Sequence, residues 1–239
     1  MSIKRDMRKS GREDFPVVSI LVPAFNEELT IEQLILRTRQ VLEKLNLPHE
    51  IIVVDDGSSD RTAFICKTSG AKVVRNGCRM GKGMALRKAF SVCHGDVIVT
   101  LDADGSHQPE EIPRLIAPIL SDCVDFTLGS RMLNLGSPLR VRFSHLGNLI
   151  FSLLISLFSQ EKVSDSQCGF RAFRSNAIKG MHISSRRFEI ESEMLIKLLK
   201  KKCRFVEVPV TSKFTGSSNI NVLGDGFLIL RRILFCVAS

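Results

Sequence analysis

Residues 97 to 108 read V-I-V-T-L-D-A-D-G-S-H-Q, an unbroken apolar run that ends in two carboxylates one residue apart, Asp102 and Asp104, and then a glycine. A Val/Ile/Leu run without polar alternation predicts a strand covered on both faces, as in the parallel sheet of an α/β domain. Ligands of such sheets gather at the carboxyl ends of the strands. Side chains two apart on a strand point the same way, so both carboxylates can reach one hard divalent cation. Mg²⁺ takes one or two carboxylates and fills its shell with water and phosphate oxygens, so the pair predicts a metal and diphosphate site. Taken alone, Asp-Ala-Asp-Gly also suits a simple turn. A calcium loop fits poorly, because its sixth position would be His107 instead of Gly and its twelfth Pro113 instead of Glu. A phosphatase with a nucleophilic D-x-D-G-S/T is the stronger rival.

The same pattern recurs upstream. Residues 17 to 22 form a β-branched run that stops at Pro23, and 28 to 45 carry Ile31, Leu34, Ile35, Leu42 and Leu45 at helical spacing. The loop between them, P-A-F-N-E at 23 to 27, holds an aromatic, an amide and a carboxylate where a base and ribose could be read, or else a plain helix entry. Residues 50 to 54 stop at D-D-G-S-S-D (55 to 60), ahead of a short helix to Thr68. Ser59 or Asp60 suffices as an N-cap, and Asp55 and Asp56 are more than a cap requires. A third strand is predicted at 71 to 75. R-M-G-K-G (79 to 83) then opens a helix over 84 to 93, and lacking the full G-x-x-x-x-G-K-[ST] spacing it reads as a weak anion site. Strands alternating with helices predict a parallel, doubly wound sheet with acids at three strand ends.

The chain has 239 residues, 44% of them hydrophobic, enough for one substantial core. Lys and Arg outnumber Asp and Glu by 34 to 25, a net +9 that favours anionic partners. Without Trp, Tyr, zinc-finger spacing or an RNA-binding aromatic motif, nucleic acid is the weakest such partner and a phosphate group the strongest. Seven scattered cysteines with no C-x-x-C pair predict reduced thiols and a cytoplasmic chain. Residues 1 to 14 form a charged tail with no apolar core, unlike a signal peptide or anchor.

V-P-A-F-N-E (22 to 27), V-V-D-D-G-S-S-D (53 to 60), G-K-G-M-A (81 to 85) and L-D-A-D-G-S-H-Q-P-E-E-I (101 to 112) stand in the order and spacing of family 2 glycosyltransferases. The resemblance continues through G-S-R (129 to 131), Q-C-G-F-R-A-F (167 to 173), V-E-V-P-V (206 to 210) and G-S-S-N-I (216 to 220). Within that family the chain most resembles the dolichol-phosphate mannose synthases and related polyprenyl-phosphate glycosyltransferases. The resemblance implies a GT-A fold: a Rossmann-like, mostly parallel sheet flanked by helices, in one domain over 15 to 239.

It also implies inverting, metal-dependent transfer from a nucleotide diphosphate sugar, such as GDP-mannose or a UDP-sugar, to a polyprenyl or dolichyl phosphate. Pro23, Phe25, Glu27, Val54 and Asp56 would hold the nucleoside, Asp102 and Ala103 would lie near the ribose, and Asp104 would bind Mg²⁺ or Mn²⁺ with help from Ser106. Arg131 and Lys213 are the cation candidates for the departing diphosphate. Arg131, Arg140 and Ser144 would meet the acceptor phosphate. The mannose synthases show Arg three residues before the late glycine and Lys three after it, where this chain has Lys213 and Asn219. A lysine meets phosphate without bidentate geometry, which leaves the donor open.

The phosphatase rival weakens because its nucleophile usually closes the first strand. The absence of Trp removes the Q-x-x-R-W of processive synthases. A soluble or protein-linked acceptor and a non-catalytic nucleotide-sugar-binding subunit remain as alternatives.

Arg140, Ser144 and Asn148 recur at one-turn intervals on a helix expected at about 140 to 160, which is an acceptor element or an ordinary basic face. Residues 149 to 158, L-I-F-S-L-L-I-S-L-F, are half the ~20 needed to span a bilayer and fit either a core helix or one lying in the interface. Arg140, Arg142 and His145 just upstream suit lipid phosphates. Any membrane contact is therefore expected to be peripheral, on the cytoplasmic face, or through an anchoring partner subunit. The helix over 188 to 202 has early acids and late lysines that match the helix dipole, and a last apolar helix covers 224 to 238.

Overall fold

The computed structural model of the protein describes residues 15–133, 143–212 and 222–238. Among the described residues seven strands form one sheet: β1 (Val18–Ala24), β2 (His49–Asp55), β3 (Lys72–Arg75), β4 (Val97–Thr100), β5 (Phe126–Ser130), β6 (Arg171–Arg174) and β7 (Phe205–Pro209). Their order across the sheet is β3-β2-β1-β4-β6-β5-β7. All neighbouring pairs are parallel except those made by β6, which runs antiparallel between β4 and β5. The expected GT-A architecture is therefore present, with one reversed strand inserted between β4 and β5.

Both faces of the central strands are covered, as the apolar runs predict. Ile20, Val53 and Val99 enter one core, and their chain neighbours Leu21, Ile52 and Ile98 enter the other. A period of two thus feeds two helical layers from the same strands. The first layer includes α1 (Ile31–Lys44), α2 (Thr62–Thr68) and α4 (Ile112–Leu120); the second includes α3 (Lys82–Val92), α5 (Phe143–Ser159), α7 (Ile190–Lys200) and α8 (Val222–Ala238). A one-turn helix α6 (Ser175–Ile178) follows β6. Fully burying a Leu, Ile or Phe side chain stabilises by roughly 1.5–3 kcal/mol, and Phe126, Phe173, Ile20 and Leu21 are all fully buried beneath these layers.

Several helix starts differ from the sequence expectation for local reasons. Helix α1 begins at Ile31 instead of 28, because Glu27 to Thr30 first form a turn in which the Thr30 amide donates to the Glu27 carbonyl at 3.1 Å. Helix α3 begins earlier, at Lys82, after Gly81 adopts φ 100°. Helix α7 waits until Ile190 because the Glu189 carboxylate first accepts the amides of Arg186 at 2.9 Å and Arg187 at 3.2 Å. Residues 1 to 14, and Arg140 and Lys213, lie outside the described residues.

Candidate active site

The carboxyl ends of β2, β1 and β4 lie side by side, and side chains lace their loops into one floor. Asn26, at φ 56°, donates its amide to Ser58 Oγ at 2.9 Å and accepts the Ser59 amide on Oδ1 at 2.9 Å. The Glu27 amide donates to Thr62 Oγ1 at 2.8 Å, and Thr30 Oγ1 donates to the Ala103 carbonyl at 2.7 Å. Asp56 accepts from Asn76 Nδ2 at 2.7 Å and from the amides of Met80 at 2.9 Å and Gly81 at 2.7 Å. This clamps the loop carrying Arg79, whose guanidinium lies 4.1 Å from the Phe25 ring centroid. A cation over an aromatic face is a stacking platform of the kind a planar base can share. The side chain of Val54 is fully buried in the core, so the floor and not that side chain faces a ligand.

Asp104 sits at a tight turn in which Gly105 takes φ 72° and the Ser106 amide donates to Asp104 Oδ1 at 2.9 Å. Glu27 is the third acid here. Burial and the charges of Asp104 and Asp102 push its carboxyl up to about 7, against the weaker pull of the Thr30 hydroxyl. Mutual repulsion of this kind marks a place where a cation would be welcome. Among the described residues, however, no group of three or more His, Cys, Asp or Glu is arranged to hold a metal by itself. One or two carboxylates with a diphosphate completing the shell is what Mg²⁺ and Mn²⁺ accept, so Asp104 fits the expected ion only together with its substrate.

Asp102 has a different environment from Asp104. Its Oδ1 is 2.6 Å from Lys82 Nζ, and that ammonium is also 2.6 Å from Glu191 Oε1 at the start of α7. Burial works against ionisation of Asp102, and the Lys82 ammonium outweighs it, so the carboxyl stays below its usual range. Burial likewise opposes the charge on Lys82, and the two carboxylates raise it nonetheless. Gly169 borders the clamp: a Cβ there would come 2.6 Å from Asp102 Oδ2 and 2.8 Å from Lys82 Nζ. His107 lies behind it, buried, with Nε2 3.8 Å from Asp102 Oδ2 and its ring 5.2 Å from that of Phe170. Burial holds its pKa down, so the ring is neutral at physiological pH.

Arg131 also reaches the site within a buried ion pair. It grips Asp165 in a fork, Nε to Oδ2 at 2.7 Å and Nη2 to Oδ1 at 2.8 Å, and Asn148 Nδ2 on α5 donates to Asp165 Oδ1 at 2.8 Å. Its charge also helps keep Asp102 ionised.

Of the residues singled out in the sequence, Phe25, Glu27, Asp56, Asp102, Ala103, Asp104, Ser106 and Arg131 come together around these strand ends. Pro23 lies just before the first loop on β1. The Ser144 backbone is helical, and its side chain, like Arg140 and Lys213, is outside the described residues. Glu191, His107 and Asp165 were not expected to form part of the site, and Lys82, expected only in a weak anion-binding turn, instead holds Asp102 and Glu191. The glycine on each side of Lys82 was the available signal: a Cβ on Gly81 would meet the Arg186 carbonyl at 2.5 Å and one on Gly83 the Ser185 carbonyl at 2.5 Å, so both glycines let α3 press against the entry to α7.

The model of the family described as glycosyl transferase family 2 matches residues 19–181. The UDP-N-acetylglucosamine–dolichyl-phosphate N-acetylglucosaminyltransferase of Methanococcus voltae is 33% identical over 248 residues, covering 91% of this chain and 95% of that protein. The dolichol-phosphate mannosyltransferase of Pyrococcus furiosus is 34% identical over 202 residues, covering 81% of this chain but 56% of that one. Among solved structures, glucosyl-3-phosphoglycerate synthase from Mycobacterium tuberculosis with Mn²⁺ and UDP-glucose superposes with a TM-score of 0.80 at 20% identity, over 100% of this chain and 84% of that one, a likeness of fold.

Proposed function

The chain belongs to glycosyl transferase family 2, and from that premise we propose that it moves a sugar from a nucleotide diphosphate sugar to a polyprenyl phosphate, with inversion at C1 and with Mg²⁺ or Mn²⁺. The observation that carries the reading is the floor made by β2, β1 and β4, which sets the Phe25 and Arg79 platform, the Glu27 and Asp104 carboxylates and the Lys82-held Asp102 on adjacent strand ends. Polyprenyl-type acceptors named among the relatives support the acceptor class.

The residues fit this chemistry in their assigned roles. Phe25 and Arg79 hold the base, and Glu27 and Asp102 face the ribose. Asp104, with Ser106 beside it, would hold the metal, which when bound stabilises charge on the departing diphosphate. A phosphate acceptor with a second pKa of about 6 is largely dianionic at neutral pH and attacks C1 without a general base. The buried acids agree with that requirement. The cations Lys82 and Arg131 hold the pKa of Asp102 and Asp165 respectively below the usual carboxylate range, so both are weak bases at pH 7. Arg131 is the cation we assign to the acceptor phosphate, together with Arg140 and Ser144, and Lys213 is assigned to the departing diphosphate.

Among the described residues no helix is long and apolar enough to cross a membrane. We place the reaction at the cytoplasmic face of a membrane, met peripherally or through an anchoring subunit.

The test is a screen of radiolabelled nucleotide sugars against short polyprenyl phosphates, read as lipid-extractable label. One donor is expected to give metal-dependent label, and Asp104→Asn to lower it by roughly 10²-fold or more, the scale of losing one group that stabilises transition-state charge. Release of free sugar without acceptor would mean a hydrolase. Label that survives in Asp104→Asn without divalent metal would remove the metal assignment.

A further inference from the structure

Arg131 follows β5 and Asp102 follows β4, and β6 separates those strands, so the sheet alone leaves the acceptor cation and the donor carboxylate unlinked. On the acceptor side, Asp165 grips Arg131 and takes a hydrogen bond from Asn148 Nδ2. On the donor side, Lys82 holds Asp102 and is itself held by Glu191 in the first turn of α7. Two brackets join these sides. The first is Arg171 on β6, which is 2% exposed and donates from Nη2 to the Ser166 carbonyl at 2.6 Å, from Nε to that of Cys168 at 2.7 Å and from Nη1 to that of Glu191 at 2.7 Å. A buried guanidinium spent on carbonyls is a poor source of stability, but its fork ties the loop that carries Asp165 to the start of α7.

The second bracket is Gln167, half-buried in the same loop. Its backbone amide donates to Asn148 Oδ1 at 3.2 Å, and its side-chain Nε2 donates to Ser166 Oγ at 3.0 Å and to Ser192 Oγ at 2.7 Å. Asn148 therefore holds Asp165 with one end of its side-chain amide and Gln167 with the other. Ser192 is fully buried and is the chain neighbour of Glu191. Contacts of 2.6 to 3.2 Å thus run without a gap from Arg131 through Asp165, Asn148 and Gln167 to α7, and from α7 through Lys82 to Asp102.

We propose that Gln167, through its bond to Ser192, is a positioning residue that sets the separation between Arg131 and the Lys82–Asp102 pair, and so aligns the acceptor phosphate with the C1 it attacks. The role rests on the transfer reading of the site. Inversion needs the attacking oxygen, C1 and the departing oxygen near one line, so the two sides must be fixed relative to each other as well as internally. A misplacement of about 1 Å is enough to cost roughly 10²-fold in rate. Loss of the Gln167 bracket leaves each side intact, because Asp165 keeps Arg131 and Asn148, and Lys82 keeps both of its carboxylates. Binding of each substrate is then retained while turnover falls.

Steady-state kinetics with farnesyl phosphate as acceptor and the nucleotide sugar that gives lipid-extractable label test the proposal. Gln167→Met keeps the length of the side chain and removes its amide, and Ser192→Ala removes the hydroxyl that receives it. Arg171 is left in place, because its loss would strand three buried carbonyls. Each single variant is expected to lower kcat by roughly 10- to 100-fold while both KM values stay within about twofold of wild type. The double variant should be no slower than the slower single variant, since both changes remove one contact. Melting curves should show every variant folded at the assay temperature. Wild-type kcat in either variant, losses that multiply in the double variant, a rise in KM at unchanged kcat, or activity that falls only with the folded fraction would overturn the role while transfer by the wild type leaves the reaction standing. A wild type that transfers sugar to no polyprenyl phosphate would overturn the acceptor reading and this role with it.

Discussion

Glu27 shows how a single residue reports the chemistry of its site. Burial and the neighbouring acids raise its carboxyl to about 7 from an ordinary value of 4.5. A group whose folded pKa lies above its unfolded one favours the fold in its protonated form. The unfolded chain gives up this proton as pH passes 4.5 and the folded chain only near 7, so the group weakens the fold progressively as pH rises across that window. Glu27→Gln removes the titration while keeping the shape. Without divalent metal, the variant is expected to have a higher Tm than wild type at pH 8 and the same Tm at pH 5. Mn²⁺ with nucleoside diphosphate should narrow the gap at pH 8 by supplying the missing positive charge. Equal Tm values at both pH values would show that Glu27 is not under the strain the acidic cluster implies.

Among the elements, the join between α3, β4 and α7 depends on one ammonium. Lys82 is 13% exposed and holds Asp102 and Glu191, so Lys82→Met would strand two carboxylates in a poorly solvated place at a cost of about 3–5 kcal/mol. Adding Glu191→Gln neutralises one of them, and the double variant is expected to be more stable than Lys82→Met alone. Chemical denaturation of the wild type, both single variants and the double variant measures the coupling, and additive effects would dissolve the clamp. This join was largely hidden in the sequence. The glycine-lysine turn reads as an anion site because nothing local places Glu191, far along the chain, against it, and the early acids of α7 already match the helix dipole. Acids at the strand ends were legible, since each follows an apolar run that stops abruptly at them. Strand β6 was not, because four residues reading R-A-F-R carry no mark of direction, and only its pairing with β4 and β5 reveals that it is reversed. Helix α5 was half legible: its apolar run is plain, but Asn148 and Ser152 face inward to bond with Asp165 and Ser166, which turns the leucines out.

For the molecule as a whole, the consequence of the sheet order is that a donor touching the β2, β1 and β4 loops is held by three neighbouring central strands. These strands carry residues of both cores. Unfolding any one of them dismantles the site, so ligand binding should stabilise the entire cooperative unit and not a loop. A ligand at a hundred times its Kd adds about 2.7 kcal/mol, which for a chain of this size is roughly 5–10 °C in Tm. Scanning UDP and GDP with Mn²⁺ should therefore identify the base, as the nucleotide that gives the larger shift. The metal contribution can be separated in the same experiment. With Asp104→Asn, the shift caused by nucleotide alone should remain, because Phe25, Arg79 and the laced loops are untouched, while the further increment due to Mn²⁺ should vanish. A full Mn²⁺ increment in that variant would mean that the ion is held by the nucleotide and other groups, and that Asp104 has another task at the end of β4.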